Sequence, residues 1–195
     1  MNKSDYYKDL RESFPLLVDD LTFDFDFEED DERRNMFYNC IAHSLGFDDI
    51  WVWPQFSGLT LYPRERYGNK EGRSFWPNNV SLEETLNAFL EMYSLFGYKK
   101  CNNIDYEPGY RKIVIYGKNN NEVTHAALVH DGYCTSKMGP YVLISHKPES
   151  IVGEQYGHIL TAVKRKDVIS IEQDVETVMS HSGGRPHINL GTFNY

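Results

Sequence analysis

The pattern of apolar and polar positions predicts a run of strands in the second half of the chain. Five apolar or alternating segments follow one another, at 112–116, 123–130, 133–138, 141–145 and 157–165. A two-residue period is typical of strands that turn one face to a core. Asp131-Gly132 is a strong two-residue hairpin signal, and it predicts that His130 pairs with Tyr133. The sequence therefore predicts an antiparallel meander.

A short helix is predicted directly before the first aromatic-rich segment. Asn39 is a good N-cap residue, and Gly46 is a suitable C-terminal stop. Between them, Ile41, Ala42 and Leu45 have helical spacing. This prediction places Cys40 in the first turn of the helix.

A longer helix is predicted over residues 81–96. Ser81 and Glu84 have the spacing of a capping box, and Gly97 follows the last apolar residue. One apolar face contains Leu82, Leu86, Phe89, Leu90, Tyr93 and Phe96. The segment at 47–79 is predicted to be loop-like, with aromatic side chains that line a cleft or cap the core.

Helices that precede an antiparallel sheet define an α+β fold class. We predict one domain over residues 35–170, an N-terminal arm over 1–34 and a C-terminal tail over 171–195. In the arm, an apolar triplet is a candidate to dock on the body, and three phenylalanines alternate with acidic residues: Leu16, Leu17 and Val18, then Phe23, Phe25 and Phe27.

Composition narrows the classes of partner. The 195 residues are 41% hydrophobic and 14% aromatic, which is enough for a core. The net charge of −9 disfavours nucleic acid as a partner, and the acidic stretch 19–32 is interpreted as a solvated face. Neither an apolar signal peptide nor a membrane-spanning run is present. We therefore predict a cytoplasmic protein with neither nucleic-acid nor membrane partners.

Cys40 has the local context of a nucleophilic thiol. The first turn of a helix offers backbone N–H groups and a dipole that favour a thiolate. A distant histidine can act as the base, and His125 lies near the start of a predicted strand. A buried structural cysteine and a core histidine are the alternative interpretations.

A third group is expected to orient the imidazole of a catalytic histidine. A two-residue loop at 131–132 places Ser136 diagonal to His125 on the same face of the sheet. Lys137 is next to Ser136 in sequence, and His146 ends a later apolar run. These three residues remain open as the third group.

Metal binding is an alternative interpretation of Cys40, His125 and His146. His43 follows Cys40 by three positions, so both can share a helix face. With His125 and His146 they would form a Cys/His set for zinc. Spacing does not show that the four converge. With three cysteines, no CxxC pair and no GxxxxGK[ST] or GxGxxG motif, we predict no metal and no cofactor.

Several motifs resemble, in order, an uncharacterised bacterial domain family. They are NCIAHSLG at 39–46, WVWP at 51–54, FGYKKC at 96–101, THAAL at 124–128, DGYCTSKMG at 131–139, ISH at 144–146 and YG at 156–157. More distantly, a Cys-bearing helix followed by a His-bearing strand resembles papain-like folds, which include cell-wall peptidases and amidases.

The papain-like resemblance implies thiol-dependent hydrolysis of an amide or peptide bond. In that reading Cys40 attacks, His125 moves the proton, and Ser136 or His146 orients the ring. The substrate would contact Asn39, Trp51, Trp53 and Lys137. Acyl transfer to an amine is a related possibility, as is action as a toxin or effector. The alternative is a non-catalytic binding or immunity-type module that uses the aromatic loop 51–76.

Overall fold

Four α-helices and nine strands form the part of the chain that the computed structural model describes: residues 3–18, 38–55, 57–64, 70–119, 121–139, 143–168 and 170–183. The helices are α1 (Lys3–Ser13), α2 (Cys40–Leu45), α3 (Leu86–Leu95) and α4 (Ile171–Ser180). The strands are β1 (Trp51–Val52), β2 (Gly58–Arg64), β3 (Lys70–Trp76), β4 (Lys99–Cys101), β5 (Tyr110–Gly117), β6 (Val123–His130), β7 (Tyr133–Lys137), β8 (Leu143–His146) and β9 (His158–Lys166). None of these helices is both long and apolar enough to cross a bilayer.

The strands form two sheets. The larger sheet has the order β4-β9-β5-β6-β7-β8, and every neighbouring pair in it is antiparallel. The smaller sheet has the order β1-β3-β2. Strands β5 to β8 follow one another as neighbours, which confirms the predicted meander and the α+β class.

The hairpin between β6 and β7 has the predicted register. His130 pairs with Tyr133, and Gly132 has a φ of 83°, a left-handed conformation that glycine adopts without strain. The two strands pair only as far as Leu128 and Thr135. Helix α2 contacts both strands.

The large sheet carries a core on each face. We call the face that packs against α2 and α3 the helical face, and the face that packs against α1 the N-terminal face. On β5, Ile113 and Ile115 belong to the core of the helical face. The alternate residues, Val114 and Tyr116, belong to the core of the N-terminal face. The strand period therefore assigns side chains to faces.

The segment predicted to be loop-like contains the whole small sheet. β2 and β3 pair antiparallel from Gly58↔Trp76 to Arg64↔Lys70, and β1 pairs parallel with β3. The loop prediction for 47–79 was therefore wrong. Phe75 and Trp76 are fully buried, and the Trp76 ring meets Phe89 of α3 edge-on. Burial against α3 therefore favours the extended conformation.

Helix α3 begins later than predicted, at Leu86 with Thr85 as its N-cap. The Leu86 N–H donates to the Asn121 carbonyl, and the Val123 N–H donates to the Glu84 carbonyl, each at 2.8 Å. These bonds hold residues 84–85 extended against the start of β6. The predicted capping box at Ser81 and Glu84 was therefore wrong.

The two chain ends also contribute to the cores. In the predicted arm, Leu17 is buried on the N-terminal face whereas Leu16 is exposed. Phe23, Phe25, Phe27 and the acidic stretch lie outside the described residues. In the predicted tail, α4 was not foreseen, and its Val178 is fully buried in the core of the helical face.

Candidate active site

Asn39 fixes the residue that follows it. Its Oδ1 accepts from the backbone N–H groups of Ala42 at 3.1 Å and Val52 at 3.3 Å, and its Nδ2 donates to the Val52 carbonyl at 2.9 Å. The first bond confirms the predicted N-cap. The other two tie the start of α2 to β1. These three hydrogen bonds hold Asn39 next to Cys40 at the edge of the pocket, which Asn39 also lines. Its predicted contact with the substrate stays a prediction.

The end of α2 is fixed as well. Gly46 adopts a left-handed φ of 93° as the predicted C-terminal stop. A Cβ at this position would lie 3.1 Å from the Arg111 guanidinium. Helix α2 has only six residues, so its dipole is small and the predicted dipole effect on Cys40 is weaker than in a long helix.

Cys40 and His125 line the same pocket, which has a volume of about 180 Å³. Its other lining residues are Asn39, Trp51, Trp53, Gln55, Thr124, Gly139 and Tyr156. The pocket therefore brings together the predicted nucleophile, the predicted histidine and both predicted tryptophans. The sequence analysis did not predict Gln55, Thr124, Gly139 or Tyr156 as site residues, although the last three lie within the motifs THAAL, DGYCTSKMG and YG.

The two central residues approach from opposite sides of the large sheet. Cys40 belongs to the core of the helical face. His125 pairs with Tyr116, which assigns it to the N-terminal face, and its ring stacks on Tyr156 at 4.0 Å and 13°. Within the described part of the chain, no hydrogen bond joins Cys40 to His125, and the buried His125 Nε2 has no partner.

Burial keeps both groups uncharged near neutral pH. Desolvation raises the pKa of Cys40 to about 11, although the backbone N–H groups of Ala126 and Ile41 and the nearby Lys137 oppose this rise. Desolvation lowers the pKa of His125 well below its usual value, and the charges of His146 and His43 act in the same direction. The resting site therefore contains a thiol and a neutral imidazole.

Ser136 and His146 form a buried pair on the face that carries His125. Ser136 Oγ lies 2.8 Å from His146 Nε2, and His146 Nδ1 lies 2.7 Å from the Lys147 carbonyl. Because the carbonyl only accepts, Nδ1 carries the proton and Nε2 accepts from Ser136. Burial lowers the pKa of His146 to about 4. Ser136 and His146 thus hydrogen-bond each other, and neither of them hydrogen-bonds His125.

Lys137 is fully buried on the helical face. Its Nζ lies 4.9 Å from the centre of the Tyr38 ring. Desolvation lowers the pKa of Lys137 to about 7, and a thiolate at Cys40 would act in the opposite direction. Lys137 is therefore an electrostatic neighbour of Cys40, while its predicted roles as the third group and as a substrate contact stay predictions.

Glu84 and Phe89, which do not line the pocket, hold the side chain of Trp53 in place. Trp53 Nε1 donates to Glu84 Oε1 at 2.7 Å, and its ring meets Phe89 edge-on at 5.3 Å. Trp51 is half-buried on β1. Trp51 thus lies on a strand, and Trp53 follows that strand directly and is held by Glu84 and Phe89, which favours a pocket with a defined shape.

The zinc set considered from the sequence does not form. The described residues contain no group of three or more His, Cys, Asp or Glu side chains placed to hold a metal ion. His43 Nε2 instead lies 3.0 Å from Thr135 Oγ1, which also lies 2.9 Å from His130 Nε2.

Comparison with known families shows the family to which the chain belongs. Residues 28–164, more than half of the chain, match the sequence model of a domain of unknown function, DUF7689. The chain belongs to the DUF7689 family. The match covers α2, the pocket and the strands of both sheets from β1 to most of β9. No curated protein and no solved structure matches this DUF7689 chain.

Proposed function

We propose that this DUF7689 domain is a thiol-dependent hydrolase of an amide or peptide bond. Cys40 would be the nucleophile and His125 its partner in the pocket. The observation that carries the proposal is that both side chains line one pocket with aromatic walls. Enzyme sites are concave and mostly apolar, with a few polar groups that converge. The papain-like order of a Cys-bearing helix and a His-bearing strand adds support.

The chemistry divides into two steps. In the first, Cys40 Sγ attacks the carbonyl carbon, the C–N bond breaks, and the thiol proton passes to the leaving amine. In the second, water attacks the thioester, and His125 Nε2 takes its proton and returns it to the departing sulfur. A neutral imidazole with an unpartnered Nε2 suits the second step.

The remaining pocket residues would hold the substrate. The rings of Trp51, Trp53 and Tyr156 offer apolar surface around the two reacting groups. About 180 Å³ accommodates only the part of a peptide or amide next to the bond that is cleaved. We therefore propose a small or terminal acyl group rather than an extended chain in this pocket.

Turnover of a panel of N-acyl p-nitroanilides tests the proposal. The wild-type protein, Cys40→Ala and the matched control Cys101→Ala would be compared, because Cys101 lies outside the pocket on β4. The proposal expects turnover that Cys40→Ala abolishes and Cys101→Ala retains. Turnover that survives in Cys40→Ala would rule out Cys40 as the nucleophile.

A non-catalytic binding module is the second candidate. The observation that favours it is that both central groups are buried and uncharged at rest, with no hydrogen bond between them. In that case the aromatic pocket would bind a ligand without cleaving it. A panel compound that binds equally to the wild-type protein and Cys40→Ser, and is recovered intact from both, would support this function.

A further inference from the structure

We propose that Lys137, and not His125, accepts the proton of the Cys40 thiol when the sulfur attacks. This inference rests on the proposed function, since it concerns how the nucleophile is activated. It separates two proton transfers that a papain-like pair would assign to one histidine.

The register of β7 places Lys137 on the correct side of the sheet. Cys134 belongs to the core of the N-terminal face. Lys137 lies three positions later on the same strand, so its side chain points to the helical face. Its Nζ lies over the ring of Tyr38, a member of the core that also contains Cys40. Two independent observations thus place the amine on the side of α2.

The end of the β6–β7 ladder gives the lysine access to the thiol. The two strands pair up to Leu128 and Thr135 and no further. Helix α2 contacts both strands, and the Ala126 backbone N–H interacts with the Cys40 sulfur. Cys40 therefore lies against the open end of the ladder, on which Lys137 is the last residue of β7.

Burial gives Lys137 the chemistry of a base. An ammonium group loses its hydration when it is buried, which favours the neutral amine. This desolvation lowers the pKa of Lys137 to about 7, so a large fraction carries a lone pair at neutral pH. Lysines with lowered pKa values act as bases in other enzymes.

His43 and His125 are less suitable than Lys137 as the base for the Cys40 thiol. His43 on α2 interacts electrostatically with Lys137, but burial, with smaller effects from Arg111 and His130, lowers the pKa of His43 to about 3. Its Nε2 is also engaged with Thr135. His125 lies on the opposite face. On the helical side, the amine that acts on Cys40 is therefore that of Lys137.

The proton balance is complete without a further reactant. As the Sγ–C bond forms, the thiol proton moves to the Lys137 amine, which becomes an ammonium. As the C–N bond breaks, the ammonium gives that proton to the leaving nitrogen and is neutral again. The products are the thioester and a free amine, and His125 remains available for the attack by water.

The pH dependence of Cys40 alkylation tests this assignment. Iodoacetamide labelling would be followed by peptide mass spectrometry between pH 5 and pH 10 in the wild-type protein, Lys137→Met and Lys100→Met, where Lys100 is an exposed control on β4. We expect the wild-type rate to rise through about pH 7, as the amine deprotonates. In Lys137→Met the rise should move to alkaline pH, and the rate at pH 7.5 should fall by about 10²-fold. Identical profiles for Lys137→Met and the wild-type protein would overturn the assignment.

A second measurement avoids the risk that Lys137→Met fails to fold. The ¹³Cε signal of Lys137 would be titrated in the wild-type protein. We expect a pKa of about 7 that coincides with the midpoint of Cys40 alkylation in the same protein. A Lys137 pKa in the usual lysine range, or one that differs from the alkylation midpoint, would overturn the assignment. Coinciding midpoints without amide turnover would contradict the hydrolase proposal alone, whereas turnover that needs Cys40 but not Lys137 would contradict this inference alone.

Discussion

Cys40 and His125 line one pocket from opposite faces of the six-stranded sheet. The sulfur belongs to α2 on the helical face, and the imidazole stacks on Tyr156 on the N-terminal face. The pocket is therefore where the two faces of the sheet become accessible to one ligand. A molecule bound there would meet both groups although they do not hydrogen-bond each other.

Replacement of His125 should separate nucleophile activation from turnover. Because His125 lies on the far face from Cys40, His125→Gln should leave the rate of Cys40 alkylation nearly unchanged. It should slow amide turnover by about 10²-fold or more, since water would lack its base. Parallel alkylation and p-nitroanilide assays check this, with the exposed His158→Gln as the control. A loss of alkylation in His125→Gln alone would show instead that the imidazole activates the thiol.

Asn39 should matter for stability as well as for activity. Asn39→Ala removes the cap of α2 and its two bonds to Val52, and we expect a loss of about 1–3 kcal/mol in the free energy of unfolding. Asn39→Asp keeps the acceptor for Ala42 but loses the donor to Val52, so its free energy of unfolding should lie between those of the wild-type protein and Asn39→Ala. Urea unfolding measures the free energy for both variants. A cost below that of Thr85→Ala, which removes the longer cap of α3 at 3.4 Å, would contradict this role.

A buried ion pair should hold α4 to the sheet. Arg165 on β9 binds Asp174 through two hydrogen bonds of 2.5 and 2.6 Å, and both side chains are at most 4% exposed. Asp174→Ala should cost about 3–5 kcal/mol, because it leaves a buried guanidinium without its counter-charge. Double replacement with Arg165→Met and Asp174→Leu should recover much of that loss.

The exposed pair Lys8–Glu12 is the matched control for this prediction. Glu12→Ala should change the free energy of unfolding by less than about 1 kcal/mol, since solvent screens this pair. Thermal or urea unfolding of the three variants checks the comparison. Equal costs for Asp174→Ala and Glu12→Ala would contradict the role of the buried pair.

Stability should fall as the pH drops below about 6.5, the pKa of a histidine in an unfolded chain. Burial lowers the pKa of His146 to about 4 and that of His43 to about 3. Between these values and 6.5 the unfolded state binds protons that the folded state does not, so stability decreases with falling pH. Each such histidine should cost about 2 kcal/mol by pH 5.

His146→Gln checks the origin of this dependence. Urea unfolding between pH 7 and pH 5 should show a shallower pH slope in this variant than in the wild-type protein. His158→Gln, which changes an exposed histidine, should keep the full slope. An undiminished slope in His146→Gln would show that other groups govern the acid sensitivity.

The sequence predicted correctly those elements whose ends are determined by a cap or turn residue at the end itself. The caps at Asn39 and Gly46 bounded α2 correctly, and the Asp131-Gly132 turn set the register of β6 and β7. The strand period also placed Ser136 and His125 on one face. These features depend on contacts within a few residues, so a single sequence contains them.

Features that depend on tertiary packing were not predictable in this way. The small sheet forms because its aromatic side chains pack against α3, as Trp76 does against Phe89, and no residue near Trp76 in the sequence indicates that contact. Helix α4 has a capping box from Ser170 to Gln173, but its role depends on Arg165, which is distant from it on β9. The sequence also did not predict which face of the sheet α2 would cover. Because α2 covers the helical face, Cys40 and His125 lie on opposite faces.

Mapping of acyl groups on the intact protein tests whether Cys40 is the nucleophile. The protein would be mixed with p-nitrophenyl acetate at pH 7.5, quenched in acid at intervals, and digested for peptide mass spectrometry. We expect an acetyl group that forms on Cys40 and then decays as water releases it, while Cys101 and the buried Cys134 gain little. Acetylation of Cys101 with none on Cys40 would contradict the claim that Cys40 is the nucleophile.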